Sequence, residues 1–142
     1  MNKAWRIAHL LKLRGGVWKR LGHIFELINF VIYSNHISAN IQIGKKTRFE
    51  HHGLGCVVHE NAIIGENCKI FQNVTIGARW PSNCSDDGVP IIGNNVQIGC
   101  GAALLGKIHI GDGAVIGANA VVITDIPNNT LAVGVPAECK RK

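Results

Sequence analysis

The chain has 142 residues, 46% of them apolar and only 6% aromatic, with 17 glycines and a formal charge of +6. That length admits one domain with at most a small appendage, and the shortage of aromatics suits a narrow interior of Ile, Val and Ala. The basic residues carry no recognised nucleic-acid motif and no interleaved aromatics, which argues against a nucleic-acid partner and for a phosphorylated cofactor or an anionic membrane face.

Residues 1–35 form a segment of their own. Nine of the 15 Lys and Arg fall within the first 50 residues, against two acids there, Glu26 and Glu50. Trp5, Ile7, Ala8, Leu10 and Leu11, then Val17, Trp18, Leu21, Ile24, Phe25, Ile28 and Val31, recur at helical spacing. Gly15 and Gly16 predict a break between two helices. Lys19, Arg20, His23 and Glu26 interrupt the apolar pattern and argue against a membrane-spanning helix. Two readings stand: a helical cap over one end of the next domain, and a basic amphipathic element in peripheral contact with the inner membrane face.

From Ile37 an aliphatic residue returns every six positions. Ile37, Ile43 and Phe49 hold the step; Val58, Ile64, Ile70 and Ile76 resume it; Ile92, Ile98, Leu104, Ile110, Ile116 and Val122 complete it. Gly follows at Gly65, Gly77, Gly93, Gly99, Gly111 and Gly117. A six-residue period fits neither a helix nor a meander, and predicts a solenoid of short flat strands joined by Gly-tolerant corners. The solenoid is expected over 36–130, with 131–142 as a basic tail. Two interruptions break it: Glu50–Val57, which holds His51-His52-Gly53-Leu54-Gly55, and an extruded loop over 78–90 rich in turn-formers. Function is expected at such interruptions. Five scattered cysteines without a CxxC pair point to reduced thiols and a cytoplasmic protein.

The tandem [Ile/Val]-Gly-x-x-x-x units, together with Asn73-Val74-Thr75-Ile76-Gly77, Ile116-Gly117-Ala118-Asn119-Ala120-Val121-Val122 and Ala132-Val133-Gly134-Val135-Pro136-Ala137, resemble the hexapeptide-repeat acyltransferases. The resemblance implies a mainly β fold, a left-handed parallel β-helix with three hexads per coil. It also implies a homotrimer with active sites between subunits, and acetyl-CoA as donor with no metal. Within the family, His51-His52-Gly53-Leu54-Gly55-Cys56-Val57-Val58 is most similar to the serine acetyltransferase branch and its colanic-acid-type sugar acetyltransferase relatives. The catalytic histidine of that branch matches His52.

Acetyl transfer from a thioester to a hydroxyl needs a base near neutral pH, and an imidazole supplies it. His52 is the candidate general base. If both residues were extended, His51 and His52 would point to opposite faces, so His51 takes either a second role or a surface position. Cys56, in an apolar run, reads as a packing residue. His59 follows an inward aliphatic and reads as an exposed corner. By resemblance, Cys100, Gly101, Ala118, Ile123 and Thr124 match cofactor-contacting positions, and Arg141, with Lys140 and Lys142, stands where the 3′-phosphate would be met unless this end is a solvated tail.

Two departures bear on the acceptor. His36 stands where serine acetyltransferases carry an orienting Asp, and Gly88-Val89-Pro90 lacks their His before the closing Pro. With the short helical segment, these favour a sugar of a surface polysaccharide or its lipid-linked precursor, with L-serine in cysteine synthesis as the alternative. A zinc enzyme of γ-carbonic-anhydrase type is a minor alternative resting on the seven histidines.

Overall fold

The computed structural model describes residues 3–14, 16–79 and 88–141, without the side chains of Lys3, Ala4, Lys19 and Arg141. Most of the predicted loop 78–90 lies outside the described residues. Two helices, α1 (Lys3–Arg14) and α2 (Gly16–Tyr33), precede a left-handed parallel β-helix. Its first coil holds β1 (His36–Ile37), β2 (Gln42–Ile43) and β3 (Arg48–Phe49). The second holds β4 (Val57–Val58), β5 (Ile63–Ile64) and β6 (Lys69–Ile70). The third holds β7 (Thr75–Gly77), β8 (Ile91–Ile92) and β9 (Gln97–Ile98). The fourth holds β10 (Ala103–Leu105), β11 (His109–Ile110) and β12 (Val115–Ile116). The last holds β13 (Val121–Val122), a bridge at Ile126 and β14 (Thr130–Val133), and β15 (Glu138–Arg141) follows.

Each strand is too short to bury more than one side chain, so the fold depends on stacking like on like. The three faces are the β1-β4-β7-β10-β13 sheet, the β2-β5-β8-β11 sheet and the β3-β6-β9-β12-β14-β15 sheet. On the first, Ile37, Val58, Ile76, Leu104 and Val122 stand in one register. On the second the column is Ile43, Ile64, Ile92, Ile110 and Ile126. On the third it is Phe49, Ile70, Ile98, Ile116 and Ala132. All are buried except Ile43, which is partly so, and each Ile or Leu contributes about 1.5–3 kcal/mol of burial.

The corners rest on left-handed backbone. Lys46, Asn67, Asn95, Gly113 and Asn129 occupy it at one edge, and Gly55, Asn73, Gly101, Asn119 and Gly134 at another. Asn and Gly tolerate this conformation where other residues are strained. The exposed polar corners also bond to the next coil: the backbone N–H groups of Glu66, Asn94 and Asp112 donate to the side chains of Asn94, Asp112 and Asn128.

The repeat runs past Pro127-Asn128-Asn129, where the sequence predicts its end. β14 pairs in parallel with β12, and β15 folds back antiparallel on β14. Residues 138–141 are therefore a strand, with Glu138, Cys139 and Lys140 exposed on it.

The helices close the opposite end. Trp5 is buried, and its indole N–H donates to the carbonyls of Ile37 (3.1 Å) and Ser38 (3.3 Å). His9 stacks on Trp5 and donates from Nδ1 to Ala39 O at 2.6 Å. Gly22 lets the helices meet, since a Cβ there would lie 2.9 Å from Lys12 Cγ. Glu26 bonds to Lys12 Nζ (2.7 Å), His23 (3.1 Å) and Ala39 N (2.7 Å). Burial pushes its carboxyl up, but Lys12, the Ala39 N–H and His23 outweigh that and hold its pKa below the ordinary carboxylate value.

Two outcomes are expected. Asn73→Ala should cost about 1–2 kcal/mol by forcing Ala into left-handed backbone, whereas Asn73→Gly should stay near wild type; equal chemical-denaturation midpoints for the two would refute the strain argument. Because the folded pKa of Glu26 is depressed, its stabilisation is complete above about pH 4.3 and is lost as pH falls through the folded value. Glu26→Gln should cost about 3 kcal/mol by leaving buried Lys12 uncompensated, and should flatten the acid limb of a melting-temperature profile.

Candidate functional site

The first interruption becomes a tight turn at the corner between the third and first faces. β1 and β4 pair His36 with Val57, whereas β4 and β7 pair Val57 with Thr75, so the first coil carries three residues more than the second. The surplus is a 3-10 turn over Glu50–Gly53. His51 (φ 50°) and His52 (φ 61°) are both left-handed and both exposed. They are not extended, so the expected division between opposite faces does not occur. Consecutive non-glycine residues in this region are strained, and such strain persists where neighbours over-determine it.

Those neighbours come from the end of α2 and the start of β1. The Asn35 amide donates to the His52 carbonyl at 3.3 Å, and Asn29 donates to Asn35 Oδ1 at 2.5 Å. Gly55 N donates to the Tyr33 carbonyl at 3.1 Å. The Tyr33 ring lies over the His52 ring, centroids 5.1 Å apart and tilted by 31°. Gly53 is buried where a Cβ would come within 3.1 Å of Ile37 Cδ1. Tyr33 and Asn35 thus position the turn, and hydrophobic periodicity gave no sign of either. Glu50 approaches Arg48, at 3.7 Å.

Asn35 also lines a cleft of about 540 Å3 between the helices and the first face. Its walls are mixed: Lys12, His23, Glu26 and Asn29 face it from the helical side, and His36, Ser38 and His59 share the strand side with Ile37, Val58 and Ile76. His59 accepts from Asn61 N at its own corner and is exposed, as expected. Cys56 is buried, its Sγ donates to Phe71 O at 3.3 Å, and burial pushes its thiol pKa up, which agrees with a packing residue rather than a nucleophile.

Above the histidine turn the same edge continues as a column of corners. Asn73 N bonds to Leu54 O, Gly101 N to Gln72 O and Asn119 N to Cys100 O. Cys100 with Gly101, and Ala118 one coil further on, therefore stack on the edge that begins with His51 and His52, at roughly 4.8 Å per coil. Gln72, in that column, has a buried Oε1 with no hydrogen-bond partner among the described residues. Ile123 and Thr124 follow β13 on the opposite margin of the first face, away from the column. Arg141 pairs with Thr130, whereas Glu138 pairs with Val133, so Arg141 sits at the end of β15 remote from the column. The structure thus unites five of the eight singled-out residues and separates three. Among the described residues no group of three His, Cys, Asp or Glu is arranged to hold a metal ion.

Residues 90–124 match the family model described as bacterial transferase hexapeptide (six repeats). A serine acetyltransferase of Helicobacter pylori is 35% identical over 136 residues, which cover 94% of this chain and 75% of that protein. A soybean serine acetyltransferase complexed with serine superimposes with a TM-score of 0.82 at 39% identity, over 96% of this chain and 54% of that one. A serine acetyltransferase in complex with CoA gives a TM-score of 0.81 at 34% identity, over 96% and 54%. Against the curated serine acetyltransferases of Synechococcus elongatus, Salmonella typhimurium and Escherichia coli, the chain spans about half of their length. On its repeats, its coil geometry and these matches, the chain belongs to the serine acetyltransferase family of hexapeptide-repeat transferases.

Proposed function

We propose that this protein is an acetyl-CoA-dependent O-acetyltransferase whose acceptor is the hydroxyl of L-serine, with His52 as general base. The observation that carries the reading is the histidine turn itself. A strained, exposed His52 is held by Tyr33 and Asn35 at the foot of a column of corners, and Asn35 also lines the cleft beside the helices. His52 takes the proton of the acceptor hydroxyl as its oxygen attacks the thioester carbonyl, and returns the proton to the departing thiolate. No acyl-enzyme is required, and buried Cys56 takes no part.

Acetyl-CoA fits the column. Cys100, Gly101 and Ala118 leave that edge free of bulky side chains, which gives a narrow pantetheine arm room to lie along it. His51, Ile123, Thr124 and Arg141 stay in the proposal in secondary roles, the last three as contacts from outside the column. Assembly into a trimer with sites between subunits belongs to the same reading.

Serine is preferred to the sugar acceptor expected from the sequence because the relatives and solved neighbours named above are serine acetyltransferases, the soybean one complexed with serine. A sugar hydroxyl stands as the second reading, favoured by Val89 in place of a histidine and by the amides and hydroxyls of the cleft wall. The relatives named above are serine acetyltransferases and give a lipid-linked precursor no support.

Thiol release from acetyl-CoA separates the two acceptors. Serine should give a kcat/KM at least about 100-fold above that of any sugar or sugar nucleotide, and the opposite ranking would overturn the serine assignment. His52→Ala should lower kcat by about 10²–10⁴-fold with little change in the KM for acetyl-CoA; an unaffected rate means that another group is the base.

A further inference from the structure

Helix α2 is inside out. Its buried or half-buried positions include Gly22, Glu26, Asn29 and Tyr33, and the polar ones are tied to Lys12, Ala39 and Asn35. Its aliphatic positions face away from the protein. Val17 is 74% exposed, Leu27 62% and Val31 71%, and Leu21, Ile24 and Ile28 line up with them. At 100° per residue these positions span about 120° of the helix, the width of a full amphipathic stripe. On α1, Leu10 and Leu13 are exposed in the same way, beside Arg6 and Arg14.

The charge on this surface is of one sign. Glu26 is the only acid in the first 49 residues, and it is turned inward to Lys12. Exposed Arg6, Arg14 and Arg20 remain, with the Arg14 guanidinium 5.7 Å above the half-exposed Trp18 ring. A second copy laid on this face would bring like charges together, whereas an anionic lipid surface neutralises them. No helix among the described residues is long and apolar enough to cross a membrane.

We infer that the α1–α2 hairpin docks in plane on an anionic membrane surface. The aliphatic side chains of α2 enter the acyl boundary, and Arg6, Arg14 and Arg20 meet lipid phosphates. The inference stands apart from the acetyltransferase reading.

The test is flotation of the full chain with phosphatidylcholine vesicles with and without phosphatidylglycerol. The chain should float with the anionic vesicles and about tenfold less with neutral ones. Binding should weaken as ionic strength rises from about 0.1 to about 1 M, which shortens the screening length from ~10 to ~3 Å. The double substitution Leu27→Glu and Val31→Glu should lower partition by about 100-fold, with the far-ultraviolet circular dichroism and melting temperature kept, since both side chains are exposed. Equal recovery of wild type and variant with anionic vesicles would overturn the inference. So would sedimentation showing a wild-type assembly that fails to float and that the double substitution dissociates, because a second copy would then cover the face.

Discussion

Vertical stacking of inward aliphatics constrains everything else in this molecule. A two-residue strand buries one side chain, and that side chain gains a packed partner only if the coil above places another on the same axis. Ile64, Ile92 and Ile110 satisfy this on one face, and Ile70, Ile98 and Ile116 on another. Each coil is therefore held to one triangular outline, and surplus residues have nowhere to go but outward at a corner. The three extra residues around His52 obey this rule. Their strained backbone is tolerable because Phe49 on one side and Val58 on the other are already fixed in their columns.

The same constraint aligns the site. Corners stack as rigidly as strands, so a turn that carries two histidines and a run of small residues several coils later share one edge without touching in sequence. His52 and Ala118 are separated by 66 positions yet belong to one column, and Cys100 lies between them. A repeat fold of this kind converts sequence distance into height along an edge, which suits a long, narrow co-substrate better than a compact one.

The regular part of this arrangement was legible in the residues. The period of six, its slip near Glu50 and its second break after Gly77 all correspond to register shifts in the sheets, because an aliphatic every sixth residue has few other physical solutions. The candidate site was legible in part: the histidine turn stood out as a break in the repeat, but the residues that hold it did not. Tyr33 and Asn35 come from the junction of helix and first strand, and their role depends on how the hairpin is set down on the first coil. The conformation of His51 and His52 was missed because a period of two presumes extended backbone, and no residue type in the turn announces otherwise. Helical spacing in 17–31 revealed an apolar stripe but not its direction. Periodicity shows that a helix has two sides, while the ties from Glu26 and Asn29 decide which side faces the protein.

The last strand carries a consequence for the assembly state. A stack of parallel ladders presents unpaired backbone groups at both ends and would accept another copy there, as open sheet edges do. β15 lies antiparallel along β14, and the turn after β14 bonds to β13 through Gly134 O and Ala137 N. At the other end Trp5 and His9 engage the carbonyls of the first coil. Backbone groups at both ends of the prism are thus partnered within the chain, which leaves fewer open edges for fibre-like growth along its axis.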